Sequence, residues 1–214
     1  MASGAATIGR LARLLEEAAP KIPSPRRELE QYTTPADLAL RVASHAALRG
    51  LLEGAVVADL AAGSCRLGLA ALMLGAGRVV AVEADVRLAE VCLAAARVLG
   101  LSQSISFIAS RIRGRVGPLA PGLVDIALTN PPFGVVRRGA DWEVLSHAME
   151  ARVPRIYAIL KSGNMEFHKR EASRRGYRAT LLFKEKFPIS ASMPIHRSRV
   201  RWIYVDVVLF ERGG

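Results

Sequence analysis

Asn130, Pro131, Pro132 and Phe133 stand directly behind the apolar run "VDIALT" (124–129). In that order they can grip a flat ring that bears an amino group. The amino group of adenine is a poor nucleophile because its lone pair is delocalised into the ring. If the Asn130 side-chain oxygen and a proline carbonyl each hold one of its hydrogens, the nitrogen can pyramidalise and aim its lone pair at an electrophile. Positioning and electrostatics then supply the rate without a strong base. Pro131 and Pro132 restrict φ and so fix where the carbonyl points. Phe133 offers a face for stacking, worth roughly 1–3 kcal/mol per base. Enzymes that methylate a paired base must first flip it out of the helix. The plainer alternative is a Pro-Pro turn closing a strand over a buried phenylalanine.

Two acids stand at comparable places. Asp59 ends the run "AVVADLA" (55–61), and Glu83 ends "RVVAVEAD" (78–85). Ligands of open parallel sheets bind beyond the carboxyl ends of the strands, and an acid there can accept hydrogen bonds from a ribose. Together with Asn130 they suit a nucleoside-type cofactor; taken singly, each also suits a helix cap. The turn "DLAAGSCR" holds one glycine, Gly63, where a phosphate-binding fingerprint has three. That counts against a dinucleotide and leaves room for a cofactor without phosphates, such as S-adenosylmethionine.

The elements that must position these residues follow from local pattern. A helix near 7–18 runs into the Pro-rich connector "PKIPSPRRE". A second helix is predicted from Thr34, with threonine as N-cap, Pro35 at the first helical position and Gly50 at the end. Strands at 55–61, 78–85, 105–110 and 123–129 alternate with helices at 66–77 and 86–100. Apolar "RIYAIL" (155–160), a helix around 165–175 and two strands near 178–186 and 200–210 follow. Such alternation means right-handed crossovers and a parallel sheet with helices on both faces. The last two strands have no clear helix between them and should pair antiparallel at an edge. Residues 1–28 form an N-terminal helix and connector, and residues 29–214 one domain. Tyr157 and Trp202 lie on apolar strands and read as core. His45 and His147 lie on helices with no partner suggested.

At 214 residues, with 51% hydrophobic and 23% charged, the chain suits a single buried core. No apolar stretch reaches the roughly 18 residues of a membrane span. Cys65 and Cys92 are its two cysteines. They have no metal-ligand spacing and read as small buried hydrophobes, which argues against a disulfide framework and a structural zinc site, and for a reduced, cytoplasmic protein. Net charge is +11, unevenly placed: residues 1–130 carry 14 basic and 11 acidic side chains, residues 131–214 carry 16 and 8. The clusters "RRGA" at 137, "HKREASRRGYR" at 168 and "HRSRVR" at 196 suit a polyanion, held in a salt-dependent way. They nominate Arg137, Arg138, His196, Arg197, Arg199 and Arg201 for RNA contact, against the alternative of merely solvated charge.

From Leu29 to Arg212 the chain resembles the class I S-adenosylmethionine-dependent methyltransferases. More narrowly, it resembles the methyltransferase-like protein five family, which makes N6-methyladenosine in small-subunit ribosomal RNA. The resemblance rests on "LEQYTTP" (29–35), "VVADLAAGSCRLGLAALMLGAGRVVAVEAD" (56–85), "VDIALTNPPFG" (124–134), "IYAILKSG" (156–163) and "HRSRVRWIYVDVVLFE" (196–211). It implies an α/β fold: a Rossmann-like, doubly wound, seven-stranded and mostly parallel sheet with an antiparallel C-terminal edge hairpin. It further implies that Gln31, Tyr32, Thr33 and Thr34 close over the cofactor, that Asp59 and Gly63 hold its amino-acid end, and that Glu83 holds its ribose. Asn130, Pro131, Pro132 and Phe133 become the catalytic motif. Ribosomal RNA and a small zinc-binding activator protein are the partners it implies. The Asn-Pro-Pro-Phe motif alone is shared with guanine-N2 and protein-glutamine methyltransferases, and a non-catalytic RNA-binding or assembly protein of the same fold stays open here. Two departures stand out: Ala61 and Cys65 replace glycines of the family's Gly-x-Gly-x-Gly, and no acid stands at Ser110–Arg111, where the family's contact to the cofactor's adenine falls.

Overall fold

A run such as Val56–Leu60 has no polar face, so it is stable only with helices on both sides of its sheet. The computed structural model, which describes residues 2–114, 117–189 and 201–213, places it there. In chain order the elements are α1 (Ala2–Ala18), α2 (Ala36–Leu48), β1 (Val56–Leu60), α3 (Arg66–Met73), β2 (Arg78–Glu83), α4 (Leu88–Val98), β3 (Ile105–Ala109), β4 (Ile126–Thr129), α5 (Ala140–Glu150), β5 (Arg155–Lys161), α6 (Met165–Ser173), β6 (Tyr177–Ile189) and β7 (Arg201–Arg212). The seven strands form one sheet in the order β3-β2-β1-β4-β5-β7-β6. The first five are parallel, and β7 runs antiparallel to both β5 and β6. This is the doubly wound sheet with an antiparallel edge hairpin that the pattern predicts. Strand order reverses between β1 and β4, so the ligand crevice falls between Leu60 and Asn130.

Alternate residues of each central strand feed two cores. Val57, Val79, Ile126, Leu128 and Ile159 join α1, α2, α3 and α4. Ala58, Val82, Ala127, Ile156 and Leu160 join α5 and α6. Tyr157 is fully buried, as its strand suggests, and His45 of α2 supplies its partner, with Nδ1 2.9 Å from the phenol oxygen.

Three expectations need correction. The cysteines are joined: Cys65, just before α3, and Cys92 in α4 form a disulfide across a separation of 27 residues. The spacing hid this because only the fold brings the turn after β1 against α4, with the two Cα atoms 5.4 Å apart. Trp202 is 63% exposed rather than core, because β7 extends past the end of β5 and loses its covering layer. Thr34 is not the cap of α2: the helix starts at Ala36 after Pro35 with no side-chain cap, and the threonine serves the site described next. Residues His196, Arg197 and Arg199 lie outside the described residues. No described helix is long and apolar enough to cross a membrane.

Candidate active site

The site grows from the ends of β1, β2 and β4. Thr129, the last residue of β4, donates its hydroxyl to the Leu60 carbonyl at 2.7 Å and ties the two strand ends together. Asn130 comes next. Its Nδ2 donates to Thr34 Oγ1 at 3.0 Å, while its Oδ1 is buried with no hydrogen-bond partner among the described residues. An orphaned buried acceptor costs about 1–3 kcal/mol. One held in place by its own amide partner is a receptor for a donor that arrives. Thr34 is therefore a positioning residue. It is itself fixed by Arg66, whose guanidinium is buried and donates to the carbonyls of Thr34 (3.0 Å) and Ala19 (2.8 and 2.6 Å) and to Glu16 (2.8 and 2.9 Å). Through Arg66 and Thr34, α1 holds Asn130 from about a hundred residues away.

Glu30 does the corresponding work behind the motif. Its buried carboxylate accepts the backbone N–H groups of Val135 (3.0 Å), Val136 (2.8 Å) and Arg137 (3.4 Å). Successive amides curled round one anion form a nest, and this one sets the path of the chain leaving Phe133. Glu30 itself sits at φ +48. The sequence reading missed it; its signal is the "LEQY" stretch, whose Gln31 and Tyr32 were read instead.

Phe133 is 5% exposed. Tyr32 stacks on it at 5.3 Å between centroids, and Phe187 of β6 meets it edge-on at 5.4 Å. One face that could carry a base is thus covered by Tyr32. Pro131 is buried and Pro132 half-buried. Gln31 has both ends of its amide engaged: Nε2 donates to Asp85 at 3.1 Å, and Oε1 accepts the Arg26 N–H at 2.8 Å. Asp85, also missed, is further gripped by Arg87 (2.6 Å), which is the main reason its carboxyl lies far below the ordinary carboxylate range.

Asp59 and Glu83 close the other side. Asp59 Oδ2 accepts the Gly68 N–H at 2.8 Å, and its Oδ1 is buried without a partner among the described residues. Burial pushes its pKa up to about 8, assisted by the charge of Glu83 and opposed by the Gly68 hydrogen bond. Glu83 accepts the N–H groups of Gly63 (3.0 Å) and Asp85 (2.9 Å), and burial raises its pKa too. It therefore fixes the β1 turn as well as facing the crevice.

That turn explains the missing glycines. Ala61 and Cys65 have φ of +54 and +60, the left-handed conformation that glycine adopts freely, and Gly63 has +55. The backbone keeps the shape of a glycine-rich turn at a cost of about 1–2 kcal/mol for each L-residue. Ala61→Gly removes that strain but adds unfolded-state freedom worth roughly 0.5–1 kcal/mol. A net gain of about 0.5 kcal/mol is expected, read as an upward shift of one or two degrees in Tm; no gain would mean that the turn tolerates the alanine without strain.

Between these groups lies a cleft of about 820 Å³, lined by Gln31, Tyr32, Ala61, Glu83, Asn130 and Pro132 among others. A smaller adjoining cavity of about 260 Å³ reaches Thr34, Asp59 and Ser64. Ser110 and Arg111 stand on the wall of the cleft, where the family's acid is absent. Arg137 lines it too, but its guanidinium pairs with Glu143 of α5, one nitrogen at 2.7 Å. Arg138 and Arg201 are exposed, with no ion pair among the described residues.

The model of the family described as conserved hypothetical protein 95 matches residues 28–151, more than half of the chain. The chain belongs to that family. Over 191 residues it is 27% identical to the rRNA N(6)-adenosine-methyltransferase Mettl5 of Drosophila melanogaster, covering 88% of this chain and 89% of that one. It is 28% identical over 199 residues to an uncharacterised protein of Methanocaldococcus jannaschii, with 90% and 89% covered. Among solved structures, a proposed RNA methyltransferase of Pyrococcus horikoshii superposes with a TM-score of 0.84 at 29% identity, over 96% of this chain and 97% of that one. Family and fold together make the chain a class I S-adenosylmethionine-dependent methyltransferase. The residues present suit that cofactor: Asp59 Oδ1, without a partner among the described residues, offers an acceptor to an ammonium group, and Glu83 lines the cleft where a ribose would lie.

Proposed function

We propose that this member of the family methylates N6 of an adenosine in small-subunit ribosomal RNA. The observation that carries the reading is the Asn130 carbonyl oxygen, buried, unpartnered and locked by Thr34. It matches the acceptor that an exocyclic amino group needs, and the relatives named as rRNA N(6)-adenosine methyltransferases supply the base and the kind of RNA. S-adenosylmethionine, when bound, supplies an electrophilic methyl group. Asn130 Oδ1 and a proline carbonyl of the motif accept hydrogen bonds from the two amino hydrogens, which directs the nitrogen lone pair at the methyl group; the proton that the methylated nitrogen sheds passes to solvent, and Thr34 and Arg66 stop the asparagine from turning away. Tyr32 moves off the face of Phe133, or extends its stack, when the base enters. Asp59 and Gly63 hold the amino-acid end of the cofactor, Glu83 its ribose. Arg138 and Arg201 face the RNA.

The implied activator is a small zinc-binding protein. The free edge of β3, with exposed Val86 and Val98 at the two ends of α4, offers it apolar surface.

The test is methyl transfer to unmodified small-subunit ribosomal RNA, with the activator added and the product nucleoside identified by mass spectrometry. N6-methyladenosine is the expected product. Methylated guanine would keep the mechanism and change the base; no product in any RNA would refute the reading.

Asp59 gives the site a pH dependence. The folded, ligand-free protein holds a proton on Asp59 up to about pH 8, whereas the unfolded chain releases it near pH 4. This group's contribution to stability therefore falls as pH rises from about 4 to 8 and is level above. An ammonium group binds the ionised form, so cofactor affinity should rise by up to roughly tenfold per pH unit below 8. Calorimetric titration at pH 6, 7 and 8 should show that slope, and Asp59→Asn should erase it.

A further inference from the structure

β6 and β7 continue past the sheet they belong to. Thr129 of β4 is level with Ala158, so Asn130 is level with Ile159, whose partner on β7 is Val207. The β5–β7 pairing ends at Lys161 and Val205. The Tyr204 carbonyl still accepts the Ser162 N–H at 3.0 Å, and residues 201–203 of β7 project beyond it, at the end of the sheet where Asn130 lies, paired to 187–189 of β6. At 3.3–3.4 Å per residue Trp202 stands roughly 17 Å beyond the level of Asn130, and Tyr204 roughly 10 Å.

The two faces of this extension differ. Ile203, Phe187 and Ile189 pack toward the core that contains Phe133. On the opposite face Trp202 and Tyr204 are 63% and 58% exposed, two positions apart on one strand and so on one side of it. Pro188 and Lys186 are directly opposite them on β6, and Lys184 is opposite Asp206. Tyr and Trp, each an apolar ring with a polar tip, are enriched where proteins meet partners. The charge on this face is positive: among the described residues Lys186 makes no ion pair, and Lys184 is 3.9 Å from Asp206, the buried acid of this face. The Arg-rich helix α6 is different, since Lys169, Arg174 and Arg175 are paired with Glu166 and Glu171.

We infer that Trp202 and Tyr204 form a stacking platform for unpaired nucleotides of the RNA substrate, with Lys184 and Lys186 holding the backbone. Every base has a π-face, so exposed aromatics among cations bind single strands with little regard for sequence. The platform lies on the strands that touch Phe133 from behind, which places the bound strand on a path to the cleft. This rests on the RNA methyltransferase reading above and adds where the flanking RNA lies.

The test compares the full-length protein with Trp202→Ala/Tyr204→Ala. It measures affinity for an unpaired RNA oligonucleotide, for a blunt RNA duplex of the same length and for S-adenosylmethionine, together with transfer to ribosomal RNA. The double variant should bind unpaired RNA at least tenfold more weakly and raise KM for ribosomal RNA, with duplex and cofactor affinity unchanged. Trp202→Phe/Tyr204→Phe should restore most of the loss, and Trp202→Leu/Tyr204→Leu, apolar but without a π-face, should not. That comparison decides the matter even if the alanine pair is unstable. Equal affinity of wild type and variant for unpaired RNA, with the wild type methylating, overturns the platform and leaves the function standing. An equal loss for unpaired and duplex RNA overturns stacking as the cause. A wild type that neither binds nor methylates RNA removes the function, and the platform with it.

Discussion

Asn130→Ala is expected to lower methyl transfer by about 10³-fold while S-adenosylmethionine still binds and the fold is unchanged. Among the described residues the side chain has one partner, Thr34, and an oxygen without any; truncation thus removes an unsatisfied buried acceptor and leaves the strand ends tied by Thr129. Removing one preorganised group that meets the reacting centre typically costs 10²–10³ in kcat, and here the same oxygen also sets the geometry of the nitrogen. Thr34→Val tests the second layer. It keeps the shape, deletes the acceptor and lets the amide rotate, so a loss of about tenfold in kcat is expected, from roughly 1.4 kcal/mol of lost orientation. Single-turnover transfer with calorimetry of cofactor binding separates the two effects. Full activity in Asn130→Ala would eliminate the proposed chemistry.

Glu30→Ala should produce the second large effect by a different route. Its carboxylate accepts three consecutive backbone N–H groups of the chain leaving the motif. Hydrogen bonds to a charged group contribute about 1.5–3 kcal/mol; since Val135 and Val136 are exposed and their amides can turn to water, a stability loss of about 2 kcal/mol is expected. The catalytic loss should be larger, roughly 10²-fold, because a displacement on the order of 1 Å at the reacting centre is enough for that. Glu30→Gln should fall between, since an amide accepts through one oxygen and presents a nitrogen to donors. Thermal melts beside kcat read both, and a variant that melts early but retains full kcat would make Glu30 purely structural.

The local part of this protein was written in its sequence. Strands β1, β2 and β4 announce themselves because a strand buried on both faces has to be apolar throughout, and Asn130 is found by its position one residue after such a run. Asp59 and Glu83 are found the same way. The edge hairpin followed from the lack of a crossover helix between its strands. These signals depend on neighbours within a few residues, and so a sequence carries them.

What crosses the chain was not available. Thr34 reads as a helix cap, and that reading is chemically sound; its hydroxyl meets Asn130 across 96 residues instead. The burial of Arg66 against α1, the nest under Glu30 and the bond from Cys65 to Cys92 each join segments that only packing brings together. The turn after β1 shows the same limit: residue type reports what conformation is easy, whereas the tertiary structure holds Ala61 and Cys65 at positive φ regardless. Trp202 was misplaced because alternation tells which residues share a face of a strand but not whether another layer covers it. The chain determined its sheet and where Asn130–Phe133 stands on it; the tertiary structure decided what holds that segment rigid and which aromatic rings meet water.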